Sequence, residues 1–509
     1  MAKKIEILCP YCCSRFYADQ VHFRLKGAVE EVEVDIEEES DDDDDDFSIV
    51  GRSRKSKKVK NTKSDGKTVD QKLYDFYIDS GLDEDAAKAD AMQFGFVEFD
   101  PENGEIEYDR AEENKHGYVN CINYKGQTLT QRLCPNCHKN LIVDAGKYPM
   151  YMFSVIGDTN VGKSIFLTVL EEMLEGDCFD TNMIFVGTPE EREYFKANNK
   201  TLIRDRELLK ATIGRVPPLT FRMTFKTADM SEKEKENSPS VFVTFCDIPG
   251  EMCRSREDLA IYGKHLKASS GLLFLVDPTR FPRIRLAMGN RDEDDNKGNS
   301  EQLDVINAIS LFLIEGTHET KSGIPTAIII TKSDILTDHP YFVNGEGKEI
   351  ITDPDWEIRH NGFINDDEIK RINEGVVGFL KDIHEGRYIT KMKDLFSDYS
   401  FFINSALGHK MDDDDDYEEQ LRKDRIEPYR ISESFYWVMA QNFVLPRKIR
   451  RIYKNTKTNE EKELVIYYRK KGFNVNQEFE NLKERYDMKD GAFGGLFSGK
   501  WECKGEFHS

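Results

Sequence analysis

The stretch GDTNVGKS occupies positions 157–164, directly after the apolar segment Met150–Ile156 and directly before the helix-like segment Ile165–Leu174. Glycines at this spacing let backbone N–H groups fold around phosphate oxygens, and the start of a helix adds unpaired donors and a favourable dipole. Lys163 then reaches the β- and γ-phosphates, and the Ser164 hydroxyl binds Mg²⁺. A glycine-rich turn without a ligand is the alternative. The strand before the stretch and the helix after it favour a phosphate-binding loop.

Apolar segments alternate with helical stretches from residue 148 onward, which is typical of an α/β domain with a doubly wound sheet. The predicted buried strands are Met150–Ile156, Val241–Cys246, Gly271–Val276, Thr326–Ile330 and Phe401–Asn404. Long connections between them predict surface excursions at 280–300, 338–365 and 412–416. An amphipathic helix is expected at Ile431–Phe443 as the closing element of this domain.

The rest of the chain divides into an N-terminal mosaic, 1–146, and a C-terminal extension, 447–509, on either side of the α/β domain at 147–446. The mosaic contains an almost continuous acidic run and then a basic run, so residues 36–68 are predicted to be disordered. Residues 69–133 are predicted to form a small inserted subdomain. It should hold short helices within Leu73–Met92 and a hairpin at Phe96–Tyr108 that turns at 102–104. The extension should begin with a basic hairpin and end in a Gly-rich tail.

A carboxylate stands at the end of a second predicted strand, in the segment Cys246-Asp247-Ile248-Pro249-Gly250. In this position Asp247 can hold a water bound to Mg²⁺, and the Gly250 N–H can meet a γ-phosphate. The alternative is an ordinary acidic turn, because apolar strands often end in one.

Two further strand ends carry groups that can recognise a base. In Thr331-Lys332-Ser333-Asp334 the Asp334 carboxylate can accept hydrogen bonds from the ring N–H and exocyclic amine of guanine, while the Lys332 stem covers the base. In Asn404-Ser405-Ala406-Leu407 the Ala406 N–H can reach the guanine carbonyl. Open sheets bind ligands at the carboxyl ends of their strands, so these segments and the phosphate loop should form one site.

The motifs GDTNVGKS, DIPG, TKSD and NSAL, in this order, resemble the translation-factor-related (TRAFAC) class of P-loop GTPases over roughly 148–445. The resemblance implies a doubly wound GTPase domain that binds GTP and GDP with Mg²⁺ in the cytoplasm. The site residues that it implies are Gly157, Asp158, Thr159, Asn160, Val161, Gly162, Lys163, Ser164, Ile165, Asp247, Gly250, Thr331, Lys332, Asp334, Ser405, Ala406 and Leu407.

The order of a leading CPYC…CPNC pair, a VPPLT segment before DIPGE and a closing FYWVMAQ helix resembles the bacterial double-GTPase group. Membership of that group implies association with multi-gene conflict or phage-defence systems. The chain has one phosphate loop, so a second GTPase would be a separate protein partner.

Three residues bear on hydrolysis. Thr220 is the first choice for the hydroxyl that the first switch contributes to Mg²⁺, with Thr212 second and an ordinary strand or turn threonine as the alternative to both. Glu251 follows DIPG where many relatives have a water-positioning Gln; it can orient water, but its charge opposes the γ-phosphate, so slow turnover is expected. Asn160 precedes Lys163 by three residues, as in GTPases that use K⁺, although asparagine also suits the turn itself.

Two Cys-Pro-X-Cys units predict a structural zinc ribbon with Cys9, Cys12, Cys134 and Cys137 as its four ligands. The long separation is tolerated because the entropy of loop closure grows only logarithmically with length. Cys13 or His138 can replace a neighbouring ligand in this interpretation. No partnered acid or open ligand position is visible, so zinc catalysis is not expected.

The chain has 509 residues and a formal charge of −23, with 39% hydrophobic residues. This composition excludes a wholly disordered chain and argues against non-specific binding to nucleic acids. The basic segment 447–471 is the only place where nucleic acid is expected to bind, and a solvated hairpin is the simpler explanation for it. The start of the chain lacks a secretory signal, and no apolar run reaches the ~20 residues of a membrane span.

Two hypotheses follow. The first is a cytoplasmic, Mg²⁺-dependent GTPase switch whose turnover is slow without an activator. The second is a scaffold that binds GTP with little hydrolysis and acts through its ribbon, its insertion and its C-terminal hairpin.

Overall fold

The structure is a computed structural model. It describes residues 5–27, 66–108, 118–175, 181–209, 216–225, 240–288, 296–345, 347–352, 366–408, 426–442, 447–456, 458–468, 475–485 and 501–508. The chain divides into two compact units, one formed by residues 1–5 and 16–147 and the other by 6–15 and 148–509. Most of the predicted disordered segment 36–68 and the acidic loop 412–416 lie outside the described residues.

The N-terminal part of the chain is built from short strands and two helices. Its strands are β1 (Glu6–Leu8), β2 (Arg15–Tyr17), β3 (His22–Arg24), β4 (Thr68–Val69), β5 (Met92–Gln93), β6 (Phe96–Glu98), β7 (Ile106–Glu107), β8 (Ile122–Tyr124), β9 (Gln127–Leu129) and β10 (Arg132–Leu133). Strands β10, β3 and β6 form one small sheet, and β7, β8 and β9 form another.

Two predictions for the inserted segment had different outcomes. The helices Gln71–Asp79 and Glu84–Asp90 confirm short helices in this region, and Asp70 and Asp83 cap their first turns. The hairpin predicted at Phe96–Tyr108 is wrong. A turn does separate β6 from β7, but β6 pairs with β3 and β7 pairs with β8. Each strand finds a partner elsewhere in the unit, which local sequence cannot indicate.

The second unit contains a seven-stranded sheet with the order β12-β13-β14-β11-β15-β16-β17. The register is parallel from β14 through β17 and antiparallel at the β12–β13 edge. The bounds are β11 (Met150–Gly157), β12 (Thr181–Phe185), β13 (Leu219–Phe225), β14 (Ser240–Asp247), β15 (Gly271–Val276), β16 (Thr326–Ile330) and β17 (Tyr399–Ile403).

The five strands predicted as buried apolar runs are all confirmed, as β11, β14, β15, β16 and β17. They are covered by helices on both faces, so their residues are apolar in continuous runs rather than in alternation. The phosphate loop leaves the carboxyl end of β11, next to the ends of β14 and β15. The topology therefore brings the motif-bearing loops to one edge of the sheet.

The antiparallel strands β12 and β13 were not predicted from the sequence. β13 contains Thr220, which was expected in a switch loop; the structure instead pairs Thr220 with Thr244 of β14. The segment Leu219–Phe225 alternates apolar and polar residues, the pattern of an antiparallel strand with one face in the core.

Helices flank this sheet, and one further helix lies in the C-terminal segment. The predicted helix Ile165–Leu174 is found at Lys163–Glu175. The predicted excursion 280–300 contains one short helix and the beginning of the 19-residue helix Asn296–Ile314, and the described part of 338–365 contains two short helices. The α-helical bounds are Lys163–Glu175, Pro189–Asn199, Arg256–Tyr262, Lys264–Ala268, Pro282–Ala287, Asn296–Ile314, Pro340–Val343, Lys348–Thr352, Asp366–Asp382, Gly386–Leu395, Glu433–Gln441 and Val475–Arg485. Within the ranges listed above, no helix is both long and apolar enough to span a membrane.

The closing helix was expected at Ile431–Phe443 with a polar face. The structure has it at Glu433–Gln441, and every residue from Glu433 to Ala440 is buried. Its polar side chains are therefore internal: Glu433 accepts a hydrogen bond of 2.7 Å from the fully buried Arg430. The amphipathic interpretation is wrong because this helix packs against the sheet on one side and is covered on the other.

The C-terminal segment forms a separate sheet in which β18 (Arg447–Asn455) is central. Its antiparallel pairing with β19 (Glu461–Tyr468) confirms the predicted basic hairpin. The end of the chain was predicted to be a Gly-rich tail, yet β20 (Trp501–His508) adds to the free side of β18. The helix Val475–Arg485 packs on this sheet through Phe479, over which the Arg451 guanidinium lies.

Candidate nucleotide site

The phosphate loop depends on two glycines for its shape. Gly157 has φ +156°, and a Cβ there would lie 2.7 Å from the backbone oxygen of Leu275 on the neighbouring strand. Gly162 has φ +90°, in the region that L side chains rarely adopt. The helix begins at Lys163, so the loop ends on the first turn of a helix, where the backbone N–H groups and the helix dipole favour an anion.

Lys163 folds back across this loop. Its side chain is buried, and Nζ donates to the backbone oxygens of Gly157 and Asp158, each at 3.0 Å. The ammonium group is therefore held inside the curve of the loop, where a bound phosphate would lie within its reach. This is the position that the motif predicts for Lys163.

Asp247 ends β14 beside the loop, in register with Val155 of β11. Its Oδ1 is buried and has no hydrogen-bond partner. Burial raises the pKa of this carboxyl to about 6, opposed by the positive charge of Lys163. An unpartnered carboxylate oxygen next to a lysine and the Ser164 turn has the donor chemistry that Mg²⁺ requires, so these residues fit that ion.

Gly250 lies directly on the phosphate loop. A Cβ at this position would be 2.3 Å from the Thr159 nitrogen and 2.5 Å from the Asp158 carbonyl carbon, so only glycine allows this approach. The following residue, Glu251, is exposed on the 3₁₀ turn Gly250–Cys253. The structure brings Gly250 to the loop and leaves Glu251 in solvent.

The TKSD segment is fastened to the same loop. The Thr331 hydroxyl donates to the Val161 backbone oxygen at 3.1 Å, and Lys332 Nζ donates to the Asn160 backbone oxygen at 3.0 Å. Lys332 Nζ also lies 2.6 Å from Asp277 Oδ2, an ion pair that sequence reasoning missed. Asp277 follows the apolar run of β15, so its place at a strand end was the available signal.

The NSAL segment meets the TKSD segment. The Ser405 hydroxyl donates to Asp334 Oδ1, and both side chains are buried. Ser405 also exchanges two backbone hydrogen bonds with Tyr429, whose hydroxyl contacts Ser333. Tyr429 was not singled out from the sequence. Ala406 and Leu407 follow, partly buried against the core.

The predicted switch residues are less well gathered. Thr220 is fully buried inside β13, and its hydroxyl lies 3.0 Å from that of Thr244. The structure thus engages the Thr220 hydroxyl within the sheet, and Thr212 lies outside the described residues. Asn160 has φ +64°, a left-handed turn conformation that asparagine tolerates well. Ile165 packs against the core from the first helical turn.

The two Cys-Pro-X-Cys turns have the same local geometry. The backbone N–H groups of Cys9 and Cys134 each donate to the carbonyl oxygen of the residue five positions later, at 2.9 and 3.0 Å. Cys13 and His138 follow the second cysteine of each unit and have positive φ. Their backbone N–H groups donate to the carbonyl oxygens of Cys9 and Cys134, the first cysteine of each unit. Cys13 and His138 therefore close the two Cys-Pro-X-Cys turns.

The four predicted sulfurs form a cluster. The Sγ atoms of Cys9, Cys12, Cys134 and Cys137 lie within 4.8 Å of one another. Four thiolates at such separations are able to hold zinc in a closed tetrahedral site. His138 is engaged elsewhere: its Nδ1 lies 2.8 Å from the Asp70 carboxylate and its Nε2 lies 2.9 Å from His22 Nδ1.

Comparisons with known proteins add little to these observations. No family model matches the chain, and no curated protein does. Two solved structures of the S. cerevisiae Ski7 GTPase-like domain, one bound to GDP and inorganic phosphate and one bound to GTP, are similar to 62% of this chain. The identities are 14% and 13%, and the TM-scores are 0.26 and 0.25. The matched part spans 58% of each of those chains.

Proposed function

We propose that this protein is a GTP-binding molecular switch that hydrolyses GTP slowly with Mg²⁺. The observation that carries the proposal is the convergence of the base and phosphate motifs: Thr331 and Lys332 bond to the phosphate loop, and Asp334 bonds to Ser405. The convergence lies at the carboxyl edge of a mainly parallel sheet, where such folds bind nucleotides.

Guanine is the base that this arrangement favours. The Asp334 carboxylate can accept hydrogen bonds from the ring N–H and the exocyclic amine of guanine. Adenine does not present this pair of adjacent donors. Ser405 donates to one of its oxygens and thereby fixes the plane of the carboxylate. Lys332, held between Asn160 and Asp277, would support the base through its methylene stem.

The phosphates and Mg²⁺ would bind at the other end of the site. Ser164 and Asp247 would hold the ion, which when bound bridges phosphate oxygens and neutralises their charge. Lys163 would exchange its contacts with the Gly157 and Asp158 carbonyls for phosphate oxygens. Gly250, already against the loop, would report whether a γ-phosphate is present.

Slow turnover is part of the proposal. Glu251 is exposed, so it is not held against the loop to orient water, and the Thr220 hydroxyl is engaged with Thr244 in β13 rather than with the ion. Stimulation of hydrolysis by K⁺ is a further part of the proposal, based on Asn160 in the phosphate loop. An activating partner or a second GTPase chain would then supply what the site lacks.

The deciding experiment measures nucleotide binding and phosphate release by the purified full chain in K⁺ and in Na⁺. We expect GTP and GDP to bind, ATP to compete poorly, and phosphate release to disappear in Lys163→Ala. The matched control Lys370→Ala changes an exposed lysine on a distant helix. GTP binding without Lys163-dependent release would favour the scaffold, and absence of guanine-nucleotide binding would refute the proposal.

A structural zinc is the second part of the proposal, supported by the four-cysteine cluster. We expect about one zinc per purified chain and its loss in Cys134→Ser. Cys121→Ser is the control, because Cys121 is outside the cluster. Zinc content equal in both variants would contradict the assignment.

Wider roles belong to the same proposal. Membership of the bacterial double-GTPase group, action in conflict or phage-defence systems and a cytoplasmic location come from the motif resemblance alone. The basic hairpin β18–β19 would be the place for nucleic acid. A map of neighbouring genes, followed by copurification of any encoded GTPase, tests the first of these.

A further inference from the structure

A buried carboxylate lies within the phosphate loop itself. The Asp158 side chain has no exposed surface, and its Oδ1 accepts from the Thr159 N–H at 2.8 Å. A negative charge here opposes the binding of phosphate, because like charges at short range in a low-dielectric site repel strongly. The loop therefore needs a compensating charge if it is to hold a nucleotide.

Two arginines supply that charge. Arg254, four residues after Gly250, donates to Asp158 Oδ1 through Nε at 3.1 Å and Nη2 at 2.7 Å. Arg280, in the turn after β15, donates to Asp158 Oδ2 through Nη1 and to the Thr159 backbone oxygen through Nη2. Glu301 lies within 3.1 Å of Arg254 and 3.9 Å of Arg280, so two carboxylates and two guanidinium groups balance.

The two arginines differ in how firmly they are held. The Arg280 side chain is 18% exposed and contacts both the carboxylate and the backbone of the loop, whereas the Arg254 side chain is 40% exposed. Arg254 also belongs to the segment that contains Gly250, which must adjust when a γ-phosphate arrives. Arg280 is thus the permanent partner of Asp158. Arg254 can move away, because the Asp158 carboxylate then keeps its ion pair with Arg280.

We propose that Arg280 is a positioning residue of the phosphate site, which acts by neutralising Asp158 and by holding the Thr159 carbonyl. The inference rests on the proposed binding of GTP. It assigns to Arg280 control over the charge and shape of the loop without contact between Arg280 and the nucleotide. Truncating Arg280 would leave Asp158 with Arg254 alone and would raise the negative potential at the phosphates.

The test is a charge-rescue cycle on the full chain, with affinities for GDP and a non-hydrolysable GTP analogue measured by titration. We expect Arg280→Ala to weaken the GTP analogue by about tenfold, since Asp158 and Glu301 would then share Arg254 and one negative charge beside the loop would be uncompensated. GDP should weaken less, because it carries less negative charge. Arg280→Lys, which can keep one of the two contacts, should fall between Arg280→Ala and the wild type.

The double variant Asp158→Asn/Arg280→Ala decides the cause. If Arg280 acts by neutralising Asp158, removing the carboxylate restores most of the affinity that Arg280→Ala loses. Arg283→Ala, an exposed arginine one turn away that contacts the Asp382 carbonyl, is the control for helix and surface effects. Thermal melting of each variant verifies that it is folded.

Two results would overturn the inference alone: unchanged affinity in Arg280→Ala, or a loss that Asp158→Asn does not rescue. The second would mean that Arg280 contacts the phosphates itself or acts only through the Thr159 carbonyl. A wild-type protein that binds neither nucleotide would refute the proposed function, and this inference with it.

Discussion

The base side of the candidate site and its switch side are built on different parts of the sheet. The base side, formed by TKSD and NSAL, follows the parallel strands β16 and β17. The switch side, formed by β13 and the turn Gly250–Cys253, adjoins the antiparallel edge. On the base side Thr331, Lys332, Asp334 and Ser405 each bond to a residue of another motif, whereas on the switch side Thr220 and Glu251 do not reach the loop.

The difference reflects what each side has to do. Asp334, Ser405 and Lys332 make internal hydrogen bonds that need no ligand, so a preorganised base pocket costs little to form. Switch residues must exchange one set of contacts for another when a γ-phosphate binds or leaves. A site with a fixed end and an adjustable end holds a nucleotide while its γ-phosphate changes.

The largest effect is expected from Asp334→Asn on the base side. Asparagine replaces one acceptor with a donor, so it cannot pair with both guanine donors, and GTP should bind about 100-fold more weakly. Xanthosine triphosphate carries a carbonyl in place of the amine and should gain affinity. Competition titrations with GTP, xanthosine triphosphate and ATP measure this change of base preference.

Asp338→Asn is the control for this substitution. Asp338 lies four residues further along the chain, and its replacement removes the same negative charge. ATP affinity should be the same in all three proteins. Equal weakening of GTP and xanthosine triphosphate by Asp334→Asn would show that Asp334 only supports Ser405 and does not select the base.

The next effect is expected at Asp247, at the end of β14 on the switch side. Its raised pKa of about 6 means that protons compete with Mg²⁺ as the pH falls through that value. Mg²⁺ affinity should be constant above about pH 7 and fall by about tenfold per unit well below pH 6. Titration of Mg²⁺ into the nucleotide-bound protein at several pH values checks this.

Asp247→Asn should bind Mg²⁺ more weakly at neutral pH and lose the dependence on pH near 6. Asp258→Asn, at a partly buried helix start where Ser255 is its partner, is the control. The same dependence in Asp247→Asn as in the wild type would assign the titration to another group.

These two sides also differ in what the sequence could predict. The ends of β11, β14, β16 and β17 were predictable because buried parallel strands are continuous apolar runs, and a loop at a strand end needs no knowledge of distant partners. Thr220 was misplaced because β13 pairs antiparallel to β14 across 24 positions, a contact that local sequence does not encode. Arg254 and Arg280 were missed because their common partner, Asp158, is far from both in the chain.

A smaller effect is expected from Thr220→Val. The Thr220 and Thr244 hydroxyls share one buried hydrogen bond, so removing either should destabilise the protein by about 1 to 2 kcal/mol. The double variant Thr220→Val/Thr244→Val should recover part of that stability, because both polar groups are then absent. Chemical denaturation measures it.

Mg²⁺ titration on the same variants tests the original prediction for Thr220. If the β13 position persists with nucleotide bound, Mg²⁺ affinity should change by less than about twofold. A large loss in Thr220→Val but not in Thr244→Val would mean that β13 releases Thr220 to the ion when GTP binds.

The smallest effect is expected from Glu251→Gln. The Glu251 side chain is exposed, so replacing its carboxylate should change kcat for GTP by less than about threefold and leave KM unaltered. Glu257→Gln, another exposed glutamate on the next helix, is the matched control. A residue that deprotonates or orients the attacking water would instead contribute about 100-fold or more to kcat. A drop of that size in Glu251→Gln alone would therefore show that the Gly250–Cys253 turn rearranges during catalysis, and would extend the adjustable end of the site from Arg254 to the attacking water.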